Sequence, residues 1–244
     1  MSTLIFPDWP QPKSVSSCST TRAGGVSLPP FDSLNLGDHV DDRPEAVSEN
    51  RQRLVELAQL PQQPVWLEQV HGTHVLHLDG SEIKNKQADA VYSNQVGQVC
   101  AIMTADCLPV LFCNQDGTEV AAAHAGWRGL CNGVLENTVR QFISPANEIM
   151  AWLGPAIGAK KFEVGAEVKQ AFVNQSSDLA SAFTPHNDKY LADIYLLARK
   201  KLNAVGINAI YGGDFCTVSD ENRFFSYRRA GKTGRMASLV WVNN

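Results

Sequence analysis

Three short segments concentrate the side chains able to do covalent or metal chemistry: WLEQVHGTHVLHL around His71, MTADCLPVLFC around Cys107 and AAAHAGWRG around His124. One thiolate and two imidazoles can ligate a single metal ion, or a cysteine can act as nucleophile with a histidine as its base. The spacings, 36 residues from His71 to Cys107 and 17 from Cys107 to His124, match no compact zinc signature. Spacing alone leaves a simpler reading open, in which Cys107 is a small buried hydrophobe and the histidines are hydrogen-bonded core or surface residues. In HGTHVLH, a strand that begins at His71 would put His71 and His77 on one face and His74 on the other. A turn at Gly72 would instead leave His71 alone in a loop.

Elements must bring these segments together. Residues 99–104, 109–113 and 119–124 read as short apolar strands, with 114–117 as a turn, so Cys107 and His124 fall at strand edges. Pro44 opens a helix over 44–57, and a second helix follows GWRG with Leu130, Val134, Thr138 and Phe142 at helical spacing. Leu191, Ile194, Tyr195, Ala198 and Leu202 mark a third, with Gly206 as its C-cap. Residues 149–153 predict a further strand, 209–211 with 237–242 a last strand pair, and the polar run 174–188 a mobile loop. Prolines and glycines in the first forty residues predict extended segments and turns. Without repeats or low-complexity tracts, residues 1–244 read as one mixed α/β or α+β domain.

Composition narrows the function class. With 44% hydrophobic and 19% charged residues, the chain is globular rather than disordered. A net charge of -4 supplies no broad basic field, so nucleic acid is not an expected partner. The most apolar runs, 99–103 and 108–113, are far shorter than the ~18 residues of a membrane span, and the opening residues do not read as a secretory signal. Six cysteines without a CxxC pair read as thiols of a cytoplasmic protein.

Any anion site must therefore be local. Arg223, Arg228, Arg229, Lys232 and Arg235 put five cations within 13 residues. Arg228 and Arg229, beside Tyr227 in FFSYRR, read as functional, and Arg223, Lys232 and Arg235 as a solvated basic loop. Arg22 in TRAGGVS and Arg128 in GWRG adjoin glycines that would let a backbone approach an anion, though either could equally be a structural donor. Asp106, next to Cys107, is a candidate for orienting a ligand or for acid/base work, with turn capping as the alternative.

Taken together, STTRAGGVS with SLNLG, LEQVHG, TADCLPVLF, AAAHAGWRG, LGPAIG with FEVG, and FFSYRRAGKTGRMA resemble the YfiH/laccase-domain family over about residues 19–242. Its members were formerly called polyphenol oxidases, are now described as purine nucleoside phosphorylases, and are also called peptidoglycan editing factors. The resemblance implies a four-layer α-β-β-α sandwich with mixed sheets and one zinc ion held by His71, Cys107 and His124. Three protein ligands leave zinc a fourth position, as in catalytic sites, so Cys107 and His124, with Asp106, become the candidate catalytic residues. The implied reaction joins phosphate to adenosine, inosine, guanosine or methylthioadenosine, releasing base and ribose 1-phosphate, with adenosine deamination as a further activity. Phosphate would be held by arginines among Arg22, Arg128, Arg228 and Arg229. A homodimer is a family-level expectation. His39, His74, His77, His186, Cys18, Cys100, Cys113, Cys131 and Cys216 are expected to be non-ligands. Copper is not expected, because six histidines with no HxH pair fall short of a multicopper oxidase. The alternative enzyme is a cysteine- or zinc-dependent amide hydrolase acting on cell-wall precursors. The non-enzyme alternative is a purine-binding or interaction module with a structural zinc.

Overall fold

The computed structural model describes residues 2–243. In chain order its elements are β1 (Leu4–Ile5), β2 (Val15–Thr20), α1 (Pro44–Ala58), β3 (Val75–His77), β4 (Ala90–Ser93), β5 (Val99–Thr104), β6 (Leu108–Asn114) and β7 (Val120–Ala125). There follow α2 (Trp127–Asn132), α3 (Val134–Val139), β8 (Ile149–Leu153), β9 (Glu163–Val164), α4 (Ala166–Val173), β10 (Phe183–His186), β11 (Lys189–Ala192), α5 (Ile194–Ala204), β12 (Ala209–Gly212), α6 (Tyr227–Ala230) and β13 (Met236–Val242).

The strands form two main sheets. One has the order β1-β2-β13-β5 and is antiparallel throughout. The other has the order β12-β8-β6-β7-β4-β3 and is mixed, with parallel pairs at both edges. A small antiparallel sheet, β10-β11-β9, stands apart.

Alternation along the strands explains how the layers stack. In β6, Leu111 and Cys113 face Val15, Ile102, Val240 and Val242 of the smaller sheet, forming the layer between the sheets. Val110 and Phe112 face the opposite way, onto Leu130, Val134, Leu135, Leu197 and Leu202 of the helices α2, α3 and α5. On the far side of the smaller sheet, Cys18, Ala101, Leu239 and Trp241 pack against Leu54 of α1 and against Leu34 and Leu36. The result is the expected α-β-β-α sandwich.

Local differences from the sequence reading have physical causes. The helix after GWRG begins at Trp127 and is broken at Gly133, whose φ of 101° only glycine adopts freely, so α2 and α3 are separate. Leu191 lies in β11 rather than in α5, and Val205 caps α5 just before Gly206. The expected loop 174–188 contains a 3-10 turn and most of a hairpin, pinned by buried Leu179, Ala182 and Phe183. β12 and β13 do not pair with each other: β12 lies parallel to β8 and β13 lies between β2 and β5.

Glu119 anchors the start of β7, at the opposite end of the strand from His124. It is 4% exposed and accepts hydrogen bonds from the Tyr92 hydroxyl at 2.6 Å, the Ile143 N–H at 2.7 Å, and the Ser144 N–H at 3.0 Å. Burial raises its carboxyl, but the bonds from Ser144, Tyr92 and Ile143 outweigh that and hold it below the usual carboxylate range. A carboxyl depressed by folding stabilises the protein above its unfolded pKa, and this contribution is lost as pH falls through the folded value. Urea melts of Glu119→Gln should therefore show about 1–3 kcal/mol of destabilisation at pH 7 and a smaller loss of stability on acidification below about pH 4 than the parent protein.

Candidate metal centre

The three chemistry-bearing segments meet at one open end of the inter-sheet layer. β5 belongs to the smaller sheet and β6 to the larger, so the TADC turn carries the chain from one sheet to the other. Asp106 makes this crossing with a φ of 89°, and Cys107 follows at the mouth of the layer. His124 shares its strand parity with Val120 and Ala122, so it faces the layer between the sheets and is 4% exposed. His71 comes from a loop: its φ is 60°, and the strand begins only at Val75. The turn alternative for HGTHVLH is thus the observed one.

That loop is sewn to the smaller sheet by Gln69. Its side chain donates to the Met103 carbonyl and accepts from the Met103 N–H, both at 2.8 Å, replacing the missing neighbour strand along the free edge of β5. The ligand atoms of His71, Cys107 and His124 lie within 4.8 Å of one another. Among the described residues no other His, Cys or acidic trio converges in this way. The Cys107 sulfur is 3.9 Å from His71 Nε2. Two donors on one tetrahedral zinc, at ~2.3 Å for sulfur and ~2.1 Å for nitrogen, stand about 3.6 Å apart, so the donor set and its span fit a metal ion. Gly126 leaves the room: a Cβ there would lie 3.0 Å from both the Cys107 sulfur and His71 Cδ2.

Asp89, unremarked in the sequence, organises the ligands. It has no exposed surface. Its carboxylate accepts the main-chain N–H groups of Val70 at 3.1 Å, His71 at 2.9 Å and Gly72 at 2.6 Å, and its Oδ1 lies 2.8 Å from His124 Nδ1. The last contact turns His124 Nε2 toward the cluster, as an outer carboxylate does for a ligating histidine. Burial alone would raise the Asp89 carboxyl, but hydrogen bonds from His124, Gly72 and Val70 hold it below the usual range. At Cys107 burial likewise raises the thiol, and the charges and hydrogen bonds of His124 and His71 overcome this and bring it down to about 6. Burial lowers His124, while Cys107 and Asp89 together raise it to about 9. Each group thus favours the charged form of the other.

A cavity of about 440 Å³ opens over the cluster, within the ~300–1,000 Å³ typical of small-molecule sites. Its apolar wall includes Met103, Trp127, Ile157, Phe162 and Ile194, and its cations are Arg128, Arg228 and Arg235. Arg128 lies in the first turn of α2 with its guanidinium 4.4 Å over the Trp127 ring. Arg228 donates from its side chain to the Glu163 carbonyl at 3.1 Å. Asp106 lines the cavity, but its oxygens are taken by the Thr217 hydroxyl at 2.6 Å, the Ser226 hydroxyl at 3.1 Å and the Arg228 N–H at 2.6 Å. Asp106 thereby fixes the SYRR segment next to Cys107.

The structure does not bring Arg22 and Arg229 to this cavity. Arg22 is spent on the carbonyls of Asp32 and Glu221 and on the Asp32 carboxylate, and Arg229 on the carbonyls of Thr217, Val218 and Phe224. Both guanidiniums are taken up by main-chain carbonyls instead. Arg235, read as solvated, lines the cavity, as does His39.

Asp89→Asn would set an amide NH2 against donors that need an acceptor. Zinc titration in competition with a chelator should show affinity reduced ~10–100-fold, and the metal-free variant should lose about 2–4 kcal/mol of stability. Gly126→Ala should lower zinc affinity through the crowding of Cys107 and His71, with a smaller change in the melt.

The chain matches, over residues 16–243, the family described as Multi-copper polyphenol oxidoreductase laccase. It is similar to Purine nucleoside phosphorylase YfiH of Escherichia coli (strain K12), 62% identical over 242 residues that cover 99% of this chain and 100% of that protein. It is also similar to Purine nucleoside phosphorylase PA4543 of Pseudomonas aeruginosa, 56% identical over 246 residues and 100% of both chains. Among solved structures, Neisseria meningitidis protein NMB0706 matches with a TM-score of 0.96 at 48% identity over 100% of both chains. YlmD from Geobacillus stearothermophilus matches with a TM-score of 0.88 at 30% identity, covering 100% of this chain and 97% of that one. Matches of this extent, in sequence and in fold, settle the lineage: the chain belongs to the laccase-like YfiH family.

Proposed function

We propose that this protein is a zinc-containing purine nucleoside phosphorylase of the cytoplasm, acting on adenosine, inosine, guanosine and methylthioadenosine. The observation that carries the reading is the convergence of His71, Cys107 and His124 on a cavity whose wall combines apolar surface with guanidinium groups that have no carboxylate partner among the described residues. The names of relatives such as those in Escherichia coli and Pseudomonas aeruginosa point to the same activity.

In phosphorolysis a phosphate oxygen forms a bond to the ribose C1′ as the bond from C1′ to the purine nitrogen breaks. The bonding electron pair leaves with the base, which takes up a proton. Phe162, Ile157 and Ile194 offer apolar surface to a purine, and burial there excludes competing water. Arg128 and Arg228 can hold a dianion in a fixed place relative to the ribose, which lowers the entropic part of the barrier. Asp106 acts by position, holding Arg228 through its main-chain N–H. His71, Cys107 and His124 would hold zinc, which when bound supplies Lewis acidity toward a group in its fourth position. Adenosine deamination belongs to the same proposal as a second activity of this cavity. Six free cysteines accord with a reducing compartment, and no helix among the described residues is long and apolar enough to cross a membrane.

One observation favours a second reading. Asp89, His124 and Cys107 also have the order of a carboxylate, base and nucleophile, and the thiol is brought down to about 6. A metal-free amide hydrolase acting on cell-wall precursors would use that arrangement.

One set of assays separates these outcomes. Pure protein is incubated with adenosine, inosine and methylthioadenosine, with and without phosphate, and free base, ribose 1-phosphate and deaminated product are separated. Base release should require phosphate and fall more than ~100-fold in Cys107→Ala and His124→Ala, beyond the ~10–100-fold typical of an outer hydrogen-bond partner. Deaminated product without phosphate would establish the second activity. Metal analysis should find stoichiometric zinc; stoichiometric copper would overturn the metal assignment. Zinc-free protein that cuts a cell-wall peptide amide, leaves nucleosides intact and is silenced by thiol alkylation would establish the hydrolase.

A further inference from the structure

Arg235 is built differently from the other cations of its neighbourhood. Its main chain is clamped by the SLNLG loop: its N–H donates to Asn35 Oδ1 at 2.9 Å, and its carbonyl accepts from the Leu36 N–H at 3.1 Å. Asn35 is itself fully buried and held by Gly37 and Asp42, so the clamp is rigid. Beneath the side chain lies buried Gly37, where a Cβ would sit 2.7 Å from Arg235 Cγ. The side chain is thus laid along a glycine and directed into the cavity over the metal ligands.

Its guanidinium is only partly used. One nitrogen donates to the carbonyls of Thr233 at 3.0 Å and Gly234 at 3.2 Å. Among the described residues no protein acceptor meets the other two nitrogens, and no carboxylate pairs with the group. By contrast Arg22, Arg223 and Lys232 are each paired, with Asp32, Asp220 and Asp41. The group lines the same cavity as Cys107, Asp106 and Tyr227; burial works against its charged form, and those three favour it. Of those, Asp106 has its oxygens filled by Thr217, Ser226 and Arg228. A half-buried guanidinium with two free donors, held beside the cluster, is a site for a tetrahedral oxyanion.

We infer that Arg235, positioned by the SLNLG loop, is the residue that grips the reacting phosphate dianion at the metal end of the cavity. This rests on the phosphorylase reading for its role in turnover but not for binding. Arg128 and Arg228, both exposed, then close the outer side of the anion.

The test measures binding and turnover separately. Inorganic phosphate is titrated calorimetrically into the zinc-loaded protein without nucleoside. Arg235→Gln should weaken binding ~10–100-fold, the range lost with a hydrogen bond to a charged group. Arg235→Lys, which keeps the charge and loses the fork, should fall between. Gly37→Ala, which leaves the guanidinium intact and shifts it, should weaken phosphate binding several-fold. Lys232→Gln, from the same basic segment but paired with Asp41, should bind within about twofold of the parent, which separates a positioned contact from general charge. In steady state, Arg235→Gln should raise the KM for phosphate while the KM for inosine stays within about threefold. Folding of each variant is checked by melting temperature and zinc content. Phosphate binding that is unchanged in both Arg235→Gln and Gly37→Ala, or absent from the parent at millimolar phosphate, would overturn the inference. Phosphate binding that depends on Arg235 in a protein unable to phosphorolyse any nucleoside would sustain the anion site and sink the phosphorylase reading instead.

Discussion

The carboxylate of Asp89 is the contact on which the site depends. Four donors reach it, three of them consecutive main-chain N–H groups of the His71 loop and the fourth the ring of His124. One negative charge thereby sets the left-handed backbone of His71 and the ring orientation of His124, two of the three candidate ligands. A non-glycine residue at a φ of 60° is held there only by surroundings that over-determine it. Here the surroundings are a buried anion with no other way to satisfy its oxygens. The ligand set is consequently preorganised by hydrogen bonds belonging to the chain itself.

The second requirement is that the two sheets be fixed relative to each other at the same point. The TADC turn does this covalently, since it leaves the smaller sheet at Thr104 and enters the larger at Leu108. Gln69 does it again by hydrogen-bonding to the free edge of β5. Asp106 adds a third tie, from the turn to Thr217, Ser226 and Arg228. Two acidic residues thus share the labour: Asp89 orients the ligands on the floor, and Asp106 holds the C-terminal segment that forms one wall. Both oxygens of each carboxylate are engaged by donors of the chain itself in this geometry.

Strands whose side chains are uniformly apolar were legible because burial on both faces leaves no polar residue to break the pattern: β5 is recovered at its observed bounds, and β6 and β7 within a residue at each end. β2 was covered only by the general expectation of extended segments, since VSSCST shows no apolar run. Its Ser17 and Ser19 are buried, and Ser19 pairs with Ser238 at 2.9 Å across the sheet. Helix breaks such as Gly133 depend on a single dihedral angle and leave little trace in periodicity. The metal trio was legible as three segments, and only the resemblance joined them, because strands separated by many residues meet through sheet pairing that spacing does not encode. Asp89 escaped notice because it sits after the polar run KNKQ, where an acidic residue reads as solvated.

The arginines show why residue type alone misassigns function. In sequence, Arg22 and Arg229 had the better neighbours, a glycine pair and a tyrosine-led motif. In the fold both side chains meet main-chain carbonyls of other segments, and those carbonyls take up the guanidinium donors. Arg229 meets three of them from two turns at once, and Arg22 two more besides an aspartate. A guanidinium saturated in this way is part of the backbone's own hydrogen bonding and has nothing to offer a ligand. Arg235 lies just before β13, where Asn35 and Leu36 of the SLNLG loop satisfy its main chain and its side chain lines the cavity. What separates Arg235 from the structural arginines is therefore how many guanidinium nitrogens the fold already engages, three in Arg22 and two in Arg229 against one in Arg235, a property of how the turns fold rather than of the motif in which the arginine stands.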